Sequence, residues 1–316
     1  MDVVTRADVV AAAARIAGHI VRTPLLESTL GGRRVWLKCE CLQTGGAFKL
    51  RGASNRLLQL DAVERQRGVV AFSSGNHAQG VAIAARRLAI SATIIMPSDA
   101  PQIKVDGTRA NGAEIVFYDR ATEDRVAIAA DLAQKTGGTV VPAFDDRHIV
   151  AGQGTVGLEI LEQLVEARAG EPPVIAMPVG GGGLAAGIAL ACPDARIVGA
   201  DPDGWDDMAR SLTSGSIENV SADAPATICD ALQTMRGSPI TFAILRERQA
   251  QIMAVSDDQV ADAVRWAWEE HQLVVEPGGA AALALFIAGK APAKEDLVIV
   301  LSGGNIDPAL HARLVG

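Results

Sequence analysis

Short apolar runs alternate with amphipathic segments along most of this chain. Runs of four or five mainly apolar residues predict buried strands at 35–39, 69–72, 93–96, 115–118, 174–177, 196–200, 252–255 and 297–301. Apolar residues at helical spacing predict helices near 5–16, 50–60, 78–88, 123–135, 155–167, 184–190 and 256–271. Because strands and helices alternate, we expect parallel strand pairing and an α/β fold.

Composition and charge exclude several classes of partner. The 316 residues are enough for two domains, and 49% of them are hydrophobic. A net charge of −8 and the lack of a basic run argue against nucleic acid or an anionic membrane as partner. No apolar stretch reaches the roughly 18 residues of a membrane span. No basic segment followed by an apolar core opens the chain, so we expect a cytoplasmic protein.

The cysteines do not predict a metal site. Cys39 and Cys41 lie two residues apart near an apparent strand, and Cys192 and Cys229 are isolated. A zinc site would need a second pair or histidines at ligand spacing. Buried, reduced thiols in a cytosolic protein are the better interpretation.

Lys49 is the candidate for covalent chemistry. Glycines precede it, Phe48 flanks it, and a predicted helix follows it directly. The partial positive charge of a helix N-terminus disfavours the charged form of a lysine and lowers its pKa. This placement suits a lysine that works as a neutral amine or a Schiff base. A surface lysine after a glycine-rich turn is the alternative.

Four consecutive glycines predict an anion site. Between a strand and a helix, their N–H groups can point at an anion at the positive helix end. They are Gly180, Gly181, Gly182 and Gly183. Leu184 and Ala185 follow where a P-loop needs Lys-Ser/Thr, and no dinucleotide fingerprint is present. We therefore expect the phosphate of a small cofactor, with a flexible linker as the alternative.

A second strand-to-helix junction carries polar groups that suit a substrate carboxylate. Its residues are Ser73, Ser74, Gly75, Asn76 and His77. The alternative for this junction is an ordinary helix N-cap, and His77 alone is better explained as structural. Ser302, at the end of the last strand, is either a turn residue or a hydrogen-bonding group in a cleft.

Together these stretches resemble one family closely. They are similar to the serine/threonine dehydratase and serine racemase group of fold-type II pyridoxal-phosphate enzymes. The matching stretches are 42–53, 73–77, 180–183, 276–280 and 301–305, in the family's order and across nearly the whole chain. Ala47 is a departure, because the family usually has serine there, and this puts the fine substrate preference in doubt.

The resemblance implies a fold and an organisation. It implies a tryptophan synthase β-like architecture, with two open, twisted, mostly parallel sheets flanked by helices. A large cofactor-binding domain would combine 1–67 with 146–316, and a small mobile domain would cover 68–145. Closure of the small domain would exclude water from the reacting centre. A homodimer is also implied.

The resemblance also assigns roles around pyridoxal 5'-phosphate. Lys49 would hold the cofactor as a Schiff base and later take the substrate Cα proton, and Phe48 would pack beside the ring. Asn76 would bond the ring hydroxyl, and Glu276 would belong to the same cofactor site. The four glycines would bind the phosphate, and the 73–77 loop would bind the substrate. Ser302 would face the pyridine nitrogen.

A neutral serine at the ring nitrogen implies elimination chemistry. It leaves the ring a weaker electron sink, which favours prompt loss of a β-leaving group. The resemblance implies β-elimination of water from an L-serine or L-threonine type substrate, with a cofactor-phosphate oxygen as acid, giving a 2-oxo acid and ammonia. Alternatives are 3-hydroxyaspartate as substrate, or a racemase in which Ser74 is the acid/base on the opposite face. A non-catalytic phosphate-ligand binding module is a third hypothesis.

An acidic stretch matches the divalent-metal site of the racemases. Asp201, the backbone of Trp205, and Asp207 occupy the matching positions, although the first is more often glutamate in the family. Oxygen ligands suit Mg²⁺, Ca²⁺ or Mn²⁺. A solvated acidic loop is the alternative.

Overall fold

A computed structural model describes residues 3–73, 75–170, 174–291 and 297–316. The strands are β1 Leu25–Leu30, β2 Arg33–Cys39, β3 Val69–Phe72, β4 Ala92–Pro97, β5 Glu114–Tyr118, β6 Thr139–Val140, β7 Val174–Pro178, β8 Arg196–Pro202, β9 Gln251–Val255 and β10 Leu297–Leu301. The helices before β7 are α1 Arg6–Ile16, α2 Lys49–Leu58, α3 Ala62–Arg67, α4 Asn76–Arg87, α5 Gln102–Ala110, α6 Arg125–Thr136 and α7 Arg147–Glu166. After it come α8 Gly183–Ala191, α9 Asp207–Ser214, α10 Pro239–Glu247, α11 Asp257–His271, α12 Pro277–Ile287 and α13 Pro308–Val315.

The larger sheet has the strand order β1-β2-β10-β7-β8-β9. Its pairs are parallel except β1 with β2, which is a hairpin. Helices α11 and α12 cover one face, while α1, α7 and α8 cover the other. Because both faces are buried, strands such as β10 read as continuous apolar runs.

The smaller sheet has the order β5-β4-β3-β6 and is entirely parallel. Helix α4 packs on one face and α6 on the other. Two mostly parallel sheets flanked by helices confirm the expected fold class. The domain boundaries at 67/68 and 145/146, and the mobility of the smaller domain, stay predictions. None of the helices in the described residues is both long and apolar enough to cross a membrane.

Helix α7 begins at Arg147, earlier than the expected start near 155. Gly152 and Gly154 therefore lie within the helix. A Cβ at Gly154 would come within 2.7 Å of the Gly187 carbonyl oxygen, and one at Gly152 within 2.7 Å of Gly52 Cα. These glycines therefore allow α7 to pack closely against α8 and α2.

A buried ionic cluster joins the hairpin to α2 and α7. The Arg51 guanidinium donates to both oxygens of Glu40, at 2.7 and 2.8 Å, and to both oxygens of Glu159 at the same distances. Lys38 Nζ donates to Glu159 Oε2 at 2.7 Å and to the Thr23 carbonyl at 2.8 Å. Arg51, Lys38 and Glu40 are fully buried. Two cations and two carboxylates thus compensate one another in the interior.

Replacing Arg51 with methionine should strongly destabilise the fold. The change leaves Glu40 buried without its cation, and breaking a buried pair in this way costs about 3–5 kcal/mol. The free energy of unfolding, measured by urea denaturation of the apoprotein, should fall by that amount.

Arg22→Met is the matched control. Arg22 also faces two carboxylates, Glu166 at 2.7 Å and Glu162 at 4.0 Å, but all three side chains are exposed. Its loss should cost less than about 1 kcal/mol. Equal losses in the two variants would show that burial of the Arg51 cluster does not matter.

Candidate active site

A cavity lies where strands of both sheets end. The loop after β3, the glycine loop after β7 and Ser302 after β10 all line it, as does Lys49. The carboxyl ends of parallel strands are the usual ligand sites of open α/β folds. The structure therefore brings together groups that are far apart in sequence.

Lys49 is the first residue of α2 and projects into this cavity. Its Nζ donates to the Ala143 carbonyl at 3.2 Å, and no carboxylate pairs with it in the described residues. Burial lowers its pKa to about 8. The sequence predicts a lowered pKa from the helix N-terminus; the direction agrees, but burial is the cause.

The glycine loop is a tight cradle at the start of α8. Gly180 and Gly182 have φ values of +52° and +84°, which other residues adopt only with strain. A Cβ at Gly181 would lie 2.3 Å from the Phe144 ring. The N–H groups of the first helical turn have no partner within the helix, so the cradle can bind an anion.

Asn76 is hydrogen-bonded to two residues, Glu276 and Asn305, that lie beside the larger sheet. Its Nδ2 donates to Glu276 Oε1, and its Oδ1 accepts from Asn305 Nδ2 at 2.8 Å. Glu276 immediately precedes α12 and is fully buried. Asn76 and Glu276 therefore form one hydrogen-bonded unit beside the cavity.

Within the 73–77 loop, Ser74 lies outside the described residues. Ser73 Oγ accepts from the Gly75 N–H at 3.1 Å. His77 Nε2 donates to the Val141 carbonyl at 2.9 Å. Burial and the charge of Lys49 lower the pKa of His77 to about 3, so this histidine is neutral and structural. The role of Ser74 stays a prediction.

Phe48 and Ser302 flank the lysine. The Phe48 N–H donates to the Ser302 carbonyl at 3.2 Å, and Lys49 Nζ lies 5.1 Å from the Phe48 ring centroid. The Ser302 side chain is nearly buried and faces the cavity. An aromatic ring, an amine and a hydroxyl thus share one wall.

Comparison with known proteins agrees with this geometry. The model of the family described as pyridoxal-phosphate dependent enzyme matches residues 16–303. This chain belongs to that family. It is 44% identical to L-threo-3-hydroxyaspartate ammonia-lyase of a Pseudomonas species, over 98% of this chain and 97% of the relative.

Solved structures give the same result. The threonine deaminase of T.th. superposes with a TM-score of 0.88 at 42% identity, covering 95% of this chain and 98% of that one. Maize serine racemase superposes with a TM-score of 0.91 at 35% identity, covering 98% and 96%. The predicted family, its cofactor and its class of ammonia-lyase chemistry are confirmed.

The residues present fit pyridoxal phosphate. The positive-φ glycine loop at the start of α8 suits the phosphate, and the buried Lys49 amine, whose pKa burial lowers to about 8, suits attachment of the cofactor aldehyde. Phe48 offers an apolar wall to the ring, and Ser302 offers a hydroxyl. The individual roles of these residues are proposals that the fit supports.

Sequence reasoning missed three charged residues of the cavity: Lys104, Arg125 and Asp230. Lys104 lies on α5, which carries no motif, and Arg125 opens α6. Asp230 lies in the segment between α9 and α10, where the sequence carries no decisive motif either. Lys104 Nζ pairs with Asp230 at 2.5 Å and with Glu276 at 3.3 Å.

The predicted metal residues lie beneath the glycine loop. Asp201 Oδ1 accepts from the Gly180 N–H at 2.7 Å, and Asp207 Oδ2 accepts from the Gly237 N–H at 3.0 Å. Both side chains are buried, and their other oxygens have no partner among the described residues. Trp205 Nε1 donates to the Pro225 carbonyl at 2.8 Å. Burial raises the pKa of Asp201 well above its usual range and that of Asp207 to about 6.

No group of three histidine, cysteine, aspartate or glutamate side chains that could hold a metal occurs in the described ranges. At the predicted metal site, Asp201 and Asp207 would supply two carboxylate ligands. Any cation bound there would need backbone carbonyls and water as further ligands.

Lys49 should be the attachment residue for the cofactor. Borohydride reduction of the holoenzyme should fix pyridoxal phosphate on Lys49, as shown by peptide mass mapping, and Lys49→Ala should lose the label and turnover. The rate of attachment to the apoenzyme should rise with pH and level off above about 8, because only the neutral amine reacts.

Lys135→Ala serves as the control, since this exposed lysine pairs with Asp131 and does not line the cavity. It should leave labelling unchanged. A label on another lysine in the wild type, or attachment that keeps accelerating to pH 10, would contradict the assignment.

Proposed function

We propose that this enzyme is an ammonia-lyase for L-threo-3-hydroxyaspartate. The observation that carries the proposal is Arg125, which lines the same cavity as Lys49 and has no counter-ion among the described residues. A substrate with a second carboxylate would supply that counter-ion. The 44% identity to a relative with this activity supports the same substrate and configuration.

Arg125 is placed where structure alone would not favour a cation. It is the first residue of α6, next to the Asp124 cap, and a positive charge is unfavourable at a helix N-terminus. Its Cζ lies 5.8 Å from the Phe72 ring centroid, and no hydrogen bond or ion pair to another described residue satisfies it. A planar guanidinium binds a carboxylate through two parallel hydrogen bonds.

The other cations of the cavity are already committed. Lys104 is neutralised by Asp230 and Glu276, and Lys49, with a pKa that burial lowers to about 8, is reserved for the cofactor. Arg125 is therefore the cation of the described cavity that remains for a distal carboxylate. A substrate such as serine would leave it unpaired.

Each residue of the site would have a separate role in the reaction. Pyridoxal phosphate, when bound, supplies a conjugated electron sink for the substrate Cα. The 73–77 loop would orient the α-carboxylate, and Arg125 the β-carboxylate. Lys49 Nζ, as a neutral amine, would remove the Cα proton. Loss of the β-hydroxyl as water and later hydrolysis would yield oxaloacetate and ammonia.

A substrate panel tests the proposal directly. The stereoisomers of 3-hydroxyaspartate, serine and threonine would be followed by ammonia release, 2-oxo acid formation and chiral chromatography. L-threo-3-hydroxyaspartate should have the highest kcat/KM. A higher value for L-threonine or L-serine, or racemisation outpacing elimination, would reject it.

Arg125→Ala should change specificity rather than chemistry. Loss of a bidentate, charge-assisted contact should lower kcat/KM for L-threo-3-hydroxyaspartate on the order of 100-fold. The value for L-serine should change by less than about threefold, because serine makes no such contact.

Arg109→Ala is the matched control for this experiment. Arg109 also stacks on a phenylalanine of the smaller sheet, with its Cζ 5.5 Å from the Phe117 ring, but it does not line the cavity. Its replacement should leave both substrates unaffected. Parallel losses for the two substrates in Arg125→Ala would disprove the specificity role.

We further propose that Asp201 and Asp207, with the Trp205 backbone, bind a divalent cation such as Mg²⁺, Ca²⁺ or Mn²⁺. The support is the pair of buried carboxylate oxygens without a described partner. The charge of Asp207 also contributes, after burial, to the raised pKa of Asp201, so the two carboxylates lie within electrostatic range. A cation would offset that repulsion.

Added Mg²⁺ or Ca²⁺ should therefore raise the melting temperature, and chelation should lower it, by ligand linkage. Asp207→Asn should abolish the shift. Asp203→Asn, an exposed position in the same acidic stretch, should retain it. If neither metal nor chelator changes the melting temperature of the wild-type protein, the proposed metal site is wrong.

A homodimer and a cytoplasmic location are proposals as well. The dimer rests on the family resemblance and is tested by sedimentation. Cys39, Cys41 and Cys229 are buried and form no disulfide bond with a described residue, which supports a reducing compartment.

A further inference from the structure

Lys104 is a buried cation that no motif explains. It lies in the first turn of α5, beside the smaller sheet, and is only 2% exposed. Burying a lysine is costly unless its charge is paired. Its partners therefore indicate what its charge does.

Both partners of Lys104 belong to the side of the larger sheet. Nζ lies 2.5 Å from Asp230 Oδ2 and 3.3 Å from Glu276 Oε2. Burial lowers the pKa of Lys104, but the charges of Glu276 and Asp230 outweigh burial and raise it. The lysine is therefore charged and links the two sheets.

Glu276 is shared between Lys104 and Asn76. Its Oε2 faces Lys104, while its Oε1 accepts from Asn76 Nδ2. Burial raises the pKa of Glu276 above its usual value, and the charge of Lys104 limits this rise. A carboxylate can only accept hydrogen bonds, so a charged Glu276 orients the Asn76 amide in one way. Asn305 completes that orientation from the other side.

Lys104 also touches the loop that carries Asn76. A Cβ on Gly75 would lie 3.1 Å from Lys104 Cδ and 3.2 Å from Nζ. The lysine stem thus packs against the loop backbone while its amine reaches Glu276. Both contacts act on the same short segment.

We propose that Lys104 is a positioning residue: by holding Glu276 as a carboxylate, it fixes the Asn76 amide toward the cofactor ring. Asn76 Nδ2 has a second hydrogen, which this orientation leaves for the ring hydroxyl. The proposal rests on the cofactor site and not on the substrate. Its failure would therefore leave the hydroxyaspartate assignment intact.

Lys104→Met tests the proposal through cofactor binding. The apoenzyme would be titrated with pyridoxal phosphate, followed by tryptophan fluorescence and by the visible absorption band. We expect a dissociation constant raised about tenfold or more, together with a shifted band. Lys104→Arg, which keeps the charge, should stay within about threefold of wild type. Wild-type affinity and band position in Lys104→Met would overturn the proposal.

A double-mutant cycle with Glu276→Gln separates positioning from general stability. Glutamine carries no charge and needs no cation, so Lys104→Met should weaken binding by less than about twofold further in that background. Fully additive losses would overturn the proposal. If Lys104→Met alone does not fold, the cofactor affinity of the double variant would be compared with that of Glu276→Gln. This comparison remains possible because no unpaired charge is left at position 276 in either variant.

Asp230→Asn controls for the second partner of Lys104. Asp230 is about one-third exposed, so its loss should weaken cofactor binding less than about threefold. The melting temperature of each apoenzyme would be recorded alongside. An effect of Asp230→Asn as large as that of Lys104→Met would show that the link to Asp230, and not the one to Glu276, is what matters.

Discussion

The buried ionic cluster around Arg51 is the constraint on which the site depends. Arg51 lies two residues after Lys49 in the first turn of α2, and its guanidinium is bound on both sides by Glu40 and Glu159. A desolvated charge is tolerated only in a geometry that satisfies it fully. The cluster therefore permits one placement of the start of α2 against the hairpin and α7. Lys49 has no ionic partner of its own among the described residues, and its position is set by the placement of α2.

The parallel topology then makes the cavity. Strands β3, β7 and β10 end on the same side as the start of α2, so each following loop contributes to one space. Asn76 and Ser302 follow strands of different sheets, and both line the cavity because the carboxyl ends of β3 and β10 face it. The glycines between β7 and α8 complete this arrangement, since Gly180 and Gly182 have positive φ values that a residue with a side chain adopts only with strain.

The sequence revealed the parts of this site that are local. Strand, glycine-rich turn and helix lie next to each other along the chain, so the 180–183 and 73–77 loops could be recognised from pattern alone. Tertiary packing decided the rest. Gly152 and Gly154 look like a break but serve close helix packing. Helix α12 is apolar all round and buried, so it lacks the amphipathic pattern that predicts a helix.

Charge pairing is the information that sequence could not supply. Lys49, Lys104 and Arg125 are three cations in one cavity, and nothing local distinguishes them. Burial lowers the pKa of the first to about 8, two carboxylates balance the second, and the third has no counter-ion among the described residues. Arg125 and Lys104 stand on helices of the smaller sheet, whereas the glycine loop and Ser302 follow strands of the larger one. A change at Arg125 would therefore leave the glycine loop and Ser302 in place, and relatives named for different substrates share this fold.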